Sequence, residues 1–182
     1  MQTPKQYLPL VAVLIASALV GCSSTATKSP DVTGNIRKSL DQAGFKKVST
    51  SEDREKGVVT LSGQVATDAD KTQAQSVAES QAAGVVVSNQ IAVIPPGAAH
   101  DAKEMNSDLD KGIEKNLDAA LIYDKLHDGV KYSVKNHVVT LTGDVESQDA
   151  RQKVQDVASA VPNVQQVVNE LQVKNQKASA SN

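Results

Sequence analysis

Leu109, Ile113, Leu117, Ala120 and Leu121 recur at the spacing of one helical face, and polar residues fill the positions between them. Asp108 or a neighbour can cap this helix, which should end near Tyr123. Tyr132 and Val134 then alternate with Lys131, Ser133 and Lys135, the period-two pattern of a strand. Asn136-His137 supplies a turn into a second strand, Val138 to Val145. Ser147 caps another helix, whose Ala150, Val154, Val157, Ala158 and Val161 share a face. Pro162-Asn163 stops it, and Val164 to Val173 forms a last strand. The predicted order is helix, strand, strand, helix, strand.

The same pattern stands earlier in the chain. Val58-Val59-Thr60-Leu61-Ser62-Gly63-Gln64-Val65 returns 80 residues later as Val138-Val139-Thr140-Leu141-Thr142-Gly143-Asp144-Val145. At the same offset Lys71, Val77, Ala78, Val87, Asn89, Ile91 and Val93 meet Arg151, Val157, Ala158, Val167, Asn169, Leu171 and Val173. A repeat of this length is a small domain with its own core, not a turn of a solenoid. The front of the first copy is weaker. Ile36, Leu40 and Ala43 line a short helix that Gly44 can end, Val48 to Ser51 is a polar strand, and Lys56-Gly57 turns the hairpin. Thr67-x-x-Asp70 resembles a cap for the next helix, continued by Ala74, Val77, Ala78 and Gln81, before a strand from Val85 to Val93. The front halves align only across a gap of about three residues. The expected fold is α+β, with two tandem α-β-β-α-β units. Each places two helices on one face of a three-stranded mixed sheet.

The amino terminus carries a targeting pattern. Lys5 precedes an apolar run, Leu8 to Val20, too short to span a bilayer. The run ends in Leu19-Val20-Gly21-Cys22, which looks like a bacterial lipobox cut before the cysteine. Cys22 is the chain's only cysteine, so no intramolecular disulfide forms. Its alternatives are lipidation and a chance cysteine behind an ordinary secretory signal. If acylated, two or more chains give stable anchoring where one does not. Ser23 follows the cysteine, which by resemblance to Gram-negative lipoproteins favours the outer membrane over the inner. The expected domain map is a signal peptide at 1–21, a lipidated flexible tether at 22–34, and a first domain at 35–94. A linker follows at 95–107, opened by Pro95-Pro96-Gly97, then a second domain at 108–173 and a disordered tail at 174–182.

Composition removes several functions. A net charge of −2 and 2% aromatic residues offer neither the basic surface nor the stacking rings that nucleic acids want. His100, His127 and His137 fall in the linker, a loop and a hairpin turn, without metal-ligand spacing. No phosphate loop or nucleophile elbow is present, and neither an enzyme nor a cofactor is expected.

The duplicated Val-Val-Thr-Leu-Ser/Thr-Gly-x-Val, the capped helix with Val-Ala, and Val-x-Asn-x-Ile/Leu-x-Val resemble the BON domain. The likeness covers about 31–93 and 109–173. Two such domains behind a lipobox look like dual-BON envelope lipoproteins of the DolP type, with the secreted OsmY proteins as relatives. The resemblance implies attachment to the periplasmic side of the outer membrane, association with phospholipid or envelope proteins, and support of membrane integrity under stress. A periplasmic chaperone-like role of the OsmY type is the alternative. No catalytic residues belong to the family. Gly63 and Gly143 are expected to relieve crowding or permit a bulge, and Asn89 and Asn169 to bond backbone where the last strand begins.

In the resembling lipoproteins the first helix of the second domain faces lipid, which corresponds here to about Asp108 to Leu126. Tyr123 and Leu126 would then be amphipathic anchors at the headgroups, helped by Lys111, Lys115 and Lys125. On the other reading Leu126 is core and Tyr123 a loop residue. Asp108, Asp110, Glu114, Asp118 and Asp124 outnumber those lysines, so strong attraction to anionic lipid is not expected.

Overall fold

The computed structural model describes residues 28–174. The signal region, Cys22 and the tail beyond Lys174 lie outside the described residues. The elements run α1 (Thr33–Gln42), β1 (Val48–Asp53), β2 (Val58–Val65), α2 (Asp68–Glu79), β3 (Val86–Asn89) and β4 (Ala92–Val93). They then repeat as α3 (Ala99–Tyr123), β5 (Val130–Lys135), β6 (Val138–Val145), α4 (Gln148–Ala160), β7 (Gln166–Asn169) and β8 (Gln172–Val173). In each copy the long central strand, β2 or β6, pairs antiparallel with the strand before it and parallel with the returning strand. Both helices cover one face, as the periodicity requires.

Two separate cores result. Ile36 and Leu40 of α1, Ala74 and Ala78 of α2, and Val48, Val59, Leu61, Val87 and Ile91 close the first. Ile113, Leu117, Leu121, Val139, Leu141, Val154, Ala158 and Leu171 close the second. The caps follow the sequence: the Thr67 and Ser147 hydroxyls accept from the Asp70 and Ala150 backbone N–H, each at 3.1 Å.

The returning strand, expected as one piece, is paired in two short stretches around a break at Asn89 and Asn169. The Asn89 amide donates to the Lys71 carbonyl and the Gln75 side chain, both at 3.1 Å, and its oxygen accepts from the Ile91 N–H at 3.3 Å. Asn169 repeats this with Arg151, Gln155 and Leu171. Each asparagine therefore pins the second helix to the middle of the returning strand, not to its beginning. Asn89→Ala strands these groups in the interior and is expected to cost about 2 kcal/mol, measurable as a lower denaturant midpoint.

Several boundaries differ from the sequence reading. Residues 99–107, read as linker, are helical and carry α3 back to Ala99, so His100 sits on a helix. The tether reading ends early, since α1 begins at Thr33, Val32 is buried, and Ser29 exchanges backbone and side-chain bonds with Arg54. The three-residue mismatch between the front halves resolves into two parts. The hairpin turn is longer in the first copy (54–57 against 136–137), and the helix-to-strand loop is one residue longer in the second.

The copies dock through their returning strands, related by an approximate twofold. The Lys56 ammonium meets Glu170 at 2.7 Å, and at equivalent positions the Asn136 amide donates to the Gln90 carbonyl at 2.7 Å. Val58, Val138 and Val168 form a small apolar cluster of their own. Gln166 bridges the two edges, donating to the Val87 carbonyl at 2.6 Å and accepting from the Asn89 N–H at 2.9 Å. A side-chain amide thus takes the place of ladder bonds, and two edges that would otherwise invite foreign strands cover one another.

Candidate functional site

The exposed end of α3 is built by how the helix stops. The Leu126 N–H reaches back to the Leu121 carbonyl at 2.8 Å, with Lys125 at φ 57°. The first copy makes the same turn with Gly44 at φ 91° and Phe45 bonded to Leu40. This reversal folds Leu126 against the second core, half-buried, as Phe45 is against the first. Leu126 therefore occupies the core position that the sequence left open for it. Ile122, which the sequence reading passed over, points outward at 58% exposure, and Tyr123 is 86% exposed. Their counterparts in the first copy are the polar Asp41 and Gln42. Only the second domain ends its first helix in a bare apolar pair.

Lys115 and Lys125 are exposed around this pair. Lys111, on the same stripe one turn further from the tip, is held by Asp108 at 3.1 Å. The acidic residues of α3 are partly committed elsewhere. Asp110 accepts from the Asn136 and His137 backbone N–H, each at 2.8 Å, and so caps a turn in which both residues have positive φ. Asp118 accepts from the Tyr132 hydroxyl at 2.7 Å and lies 3.3 Å from His127. Glu114 and Asp124 remain on the exposed surface, so the tip is amphipathic and only weakly charged.

Burial, then the bond to Asp118, pushes the Tyr132 hydroxyl up to about 12. A pKa raised on folding stabilises below the unfolded value near 10 and is lost as pH rises through the folded one. The second domain should lose stability between about pH 10 and 12, followed by unfolding together with tyrosinate absorbance, and Tyr132→Phe should flatten that loss.

Among the described residues no group of three or more His, Cys, Asp and Glu is placed to hold a metal. Among them, too, no helix is long and apolar enough to cross a membrane.

The BON domain profile matches residues 29–95 and 109–175. No curated protein matches the chain. Similar solved structures include two of CdsD, a structural protein of the type III secretion system of Chlamydia trachomatis, one of them its C-terminal domain. Each is 14% identical, covering 81% and 82% of this chain and 99% and 97% of theirs, with TM-scores of 0.34 and 0.35. Since two stretches that together make up most of its length each match one profile, the chain belongs to the BON domain family, as a tandem pair.

Proposed function

We propose that this protein is a lipid-anchored outer-membrane protein facing the periplasm, whose second BON domain touches phospholipid headgroups and supports membrane integrity under stress. BON domains are associated with the envelope and with phospholipid binding, and that association supports the setting. The observation that carries the reading is the exposed Ile122-Tyr123 pair at the end of α3. An isoleucine moved from water into the acyl boundary gains about 1.5–3 kcal/mol. A tyrosine suits the headgroup level, with an apolar ring and a polar tip. Lys115 and Lys125 add weak attraction to anionic heads, which Asp124 offsets. By itself the contact gives only weak, partial binding at high lipid concentration, and acyl chains on Cys22 would supply the local concentration that makes it count.

Flotation of the unacylated chain with phosphatidylglycerol-containing vesicles tests this. Partial co-flotation, lost in Ile122→Asp/Tyr123→Asp with folding intact, is the expected result. Folded protein that never floats removes the lipid contact. If it also suppresses aggregation of unfolded outer-membrane proteins, the chaperone-like role takes its place.

A further inference from the structure

The docked copies frame an open pocket that lies away from the α3 tip. A cavity of about 460 Å³ lies between the start of α2, β4, the amino-terminal part of α3 and the turn Asn136–His137. Its walls are mostly apolar, supplied by Ile91, Val93, Pro95, Ala102, Met105 and Leu109. Both domains and the helical extension read as linker in the sequence are needed to form it.

Its polar end is unusual. The Lys71 ammonium donates to the Asn136 carbonyl at 3.1 Å and to the Gln165 side chain at 2.9 Å, which leaves a third N–H without an acceptor among the described residues. His137 also lines the cavity, and its Nε2, closed off from solvent, has no hydrogen-bond partner. Burial holds the pKa of both groups below their ordinary values, against the opposing pull of Asp110 and Asp68. Asp68 and Asp101 also line the cavity. Buried polar groups normally find partners, and an apolar cavity of this size with a few convergent polar groups is what a small-molecule site looks like.

The geometry points to a binding site for a single-chain aliphatic carboxylate, its head between Lys71 and His137 and its chain along Ile91, Val93, Met105 and Leu109. One ammonium with one spare N–H, next to a ring nitrogen with no partner, matches a head of a single negative charge. Asp68 and Asp101 disfavour each added negative charge, so a monoanion fits better than a dianion such as a phosphate monoester. An open groove of about 460 Å³ suits one medium chain with its head. The site stands whether or not the α3 tip meets a membrane.

The test titrates ¹³C-carboxyl dodecanoate, below its micelle concentration, into the full chain carrying Cys22→Ser. Heat and the carboxyl resonance are followed together. Saturable one-to-one binding is expected, weakened at least tenfold by Ala102→Phe, which fills the cavity while leaving the Lys71 bonds in place. Binding should survive Ile122→Asp/Tyr123→Asp, and dodecyltrimethylammonium should bind at least tenfold more weakly. Absence of saturable binding, equal binding by folded Ala102→Phe, equal binding of the cationic amphiphile, or loss in the tip variant would each overturn the assignment.

Discussion

Gly143→Ala is expected to destabilise the second domain by about 3 kcal/mol, near the upper end for a single substitution. Gly143 lies in β6 at φ 113°, a conformation that L side chains rarely adopt, and a Cβ built there stands 2.1 Å from the Gly129 carbonyl oxygen. That oxygen is backbone of the residue just before β5, opposite in the hairpin, so no flexible side chain is there to yield. The first copy repeats the arrangement: Gly63 has the same φ, and its Cβ would meet the Lys47 carbonyl at 2.1 Å. Both effects act together, a strained backbone and a clash with the partner strand. For a domain of this size the loss corresponds to roughly 12 °C or more in melting temperature. Gly112→Ala provides the contrast. It sits within α3 with nothing within 4 Å of a new Cβ, and is expected to gain about 0.5–1 kcal/mol from helix propensity alone. Thermal unfolding of the variants side by side checks the opposite signs.

The second large effect follows from the anchoring proposed at Cys22. Cys22→Ser is expected to move the protein from the membrane fraction to the soluble fraction almost completely, whereas Ile122→Asp/Tyr123→Asp should leave the acylated protein sedimenting with membranes. The magnitudes explain the difference. Each buried methylene of an acyl chain contributes about 0.8 kcal/mol, so two or three chains far exceed what a protein surface can add. The tip offers on the order of 3 kcal/mol, and even a millimolar affinity requires about 4. The tip variant should instead show itself under detergent or osmotic stress, where the anchor is present but the surface contact is gone. Fractionation of cells expressing each variant, with mass spectrometry of the mature amino terminus, reads the outcome.

The fold was legible because buried positions leave a period. Ile113, Leu117 and Leu121 repeat every four residues along the covered face of α3, and the β2 and β6 segments match residue for residue at one offset. The amino-terminal part of α3 was not legible, since its buried face begins only at Ile113, and Ala102 and Met105, though spaced on one face, are small or left exposed. The interface hid in a familiar pattern. In Val138-Val139 successive side chains point to opposite faces, so Val139 enters the core while Val138 meets Val58 and Val168 between the domains. A valine on the face away from the helices was a usable signal of something covering that face.

The tip was half legible. Both sequence readings set Tyr123 outside the core, where it lies, and left Leu126 as either anchor or core; Ile122 was passed over. No glycine after Tyr123 marks the reversal that Gly44 marks in the first copy; Lys125 adopts the left-handed conformation instead. Aligning the helix ends of the two copies would have set Leu126 against Phe45 and released Ile122 to the surface. The cavity between the copies was beyond reach of either sequence alone, because its walls come from α2, β4, α3 and a hairpin turn that meet only on docking.

Paramagnetic broadening by lipids spin-labelled at the headgroup, recorded on the folded chain bound to phosphatidylglycerol bicelles, tests membrane contact most directly. Amides from Ala119 to Leu126 should broaden most, with the equivalent stretch from Lys38 to Phe45 in the first domain spared. Broadening centred on the first domain, or none anywhere while the chain is bound, would contradict it.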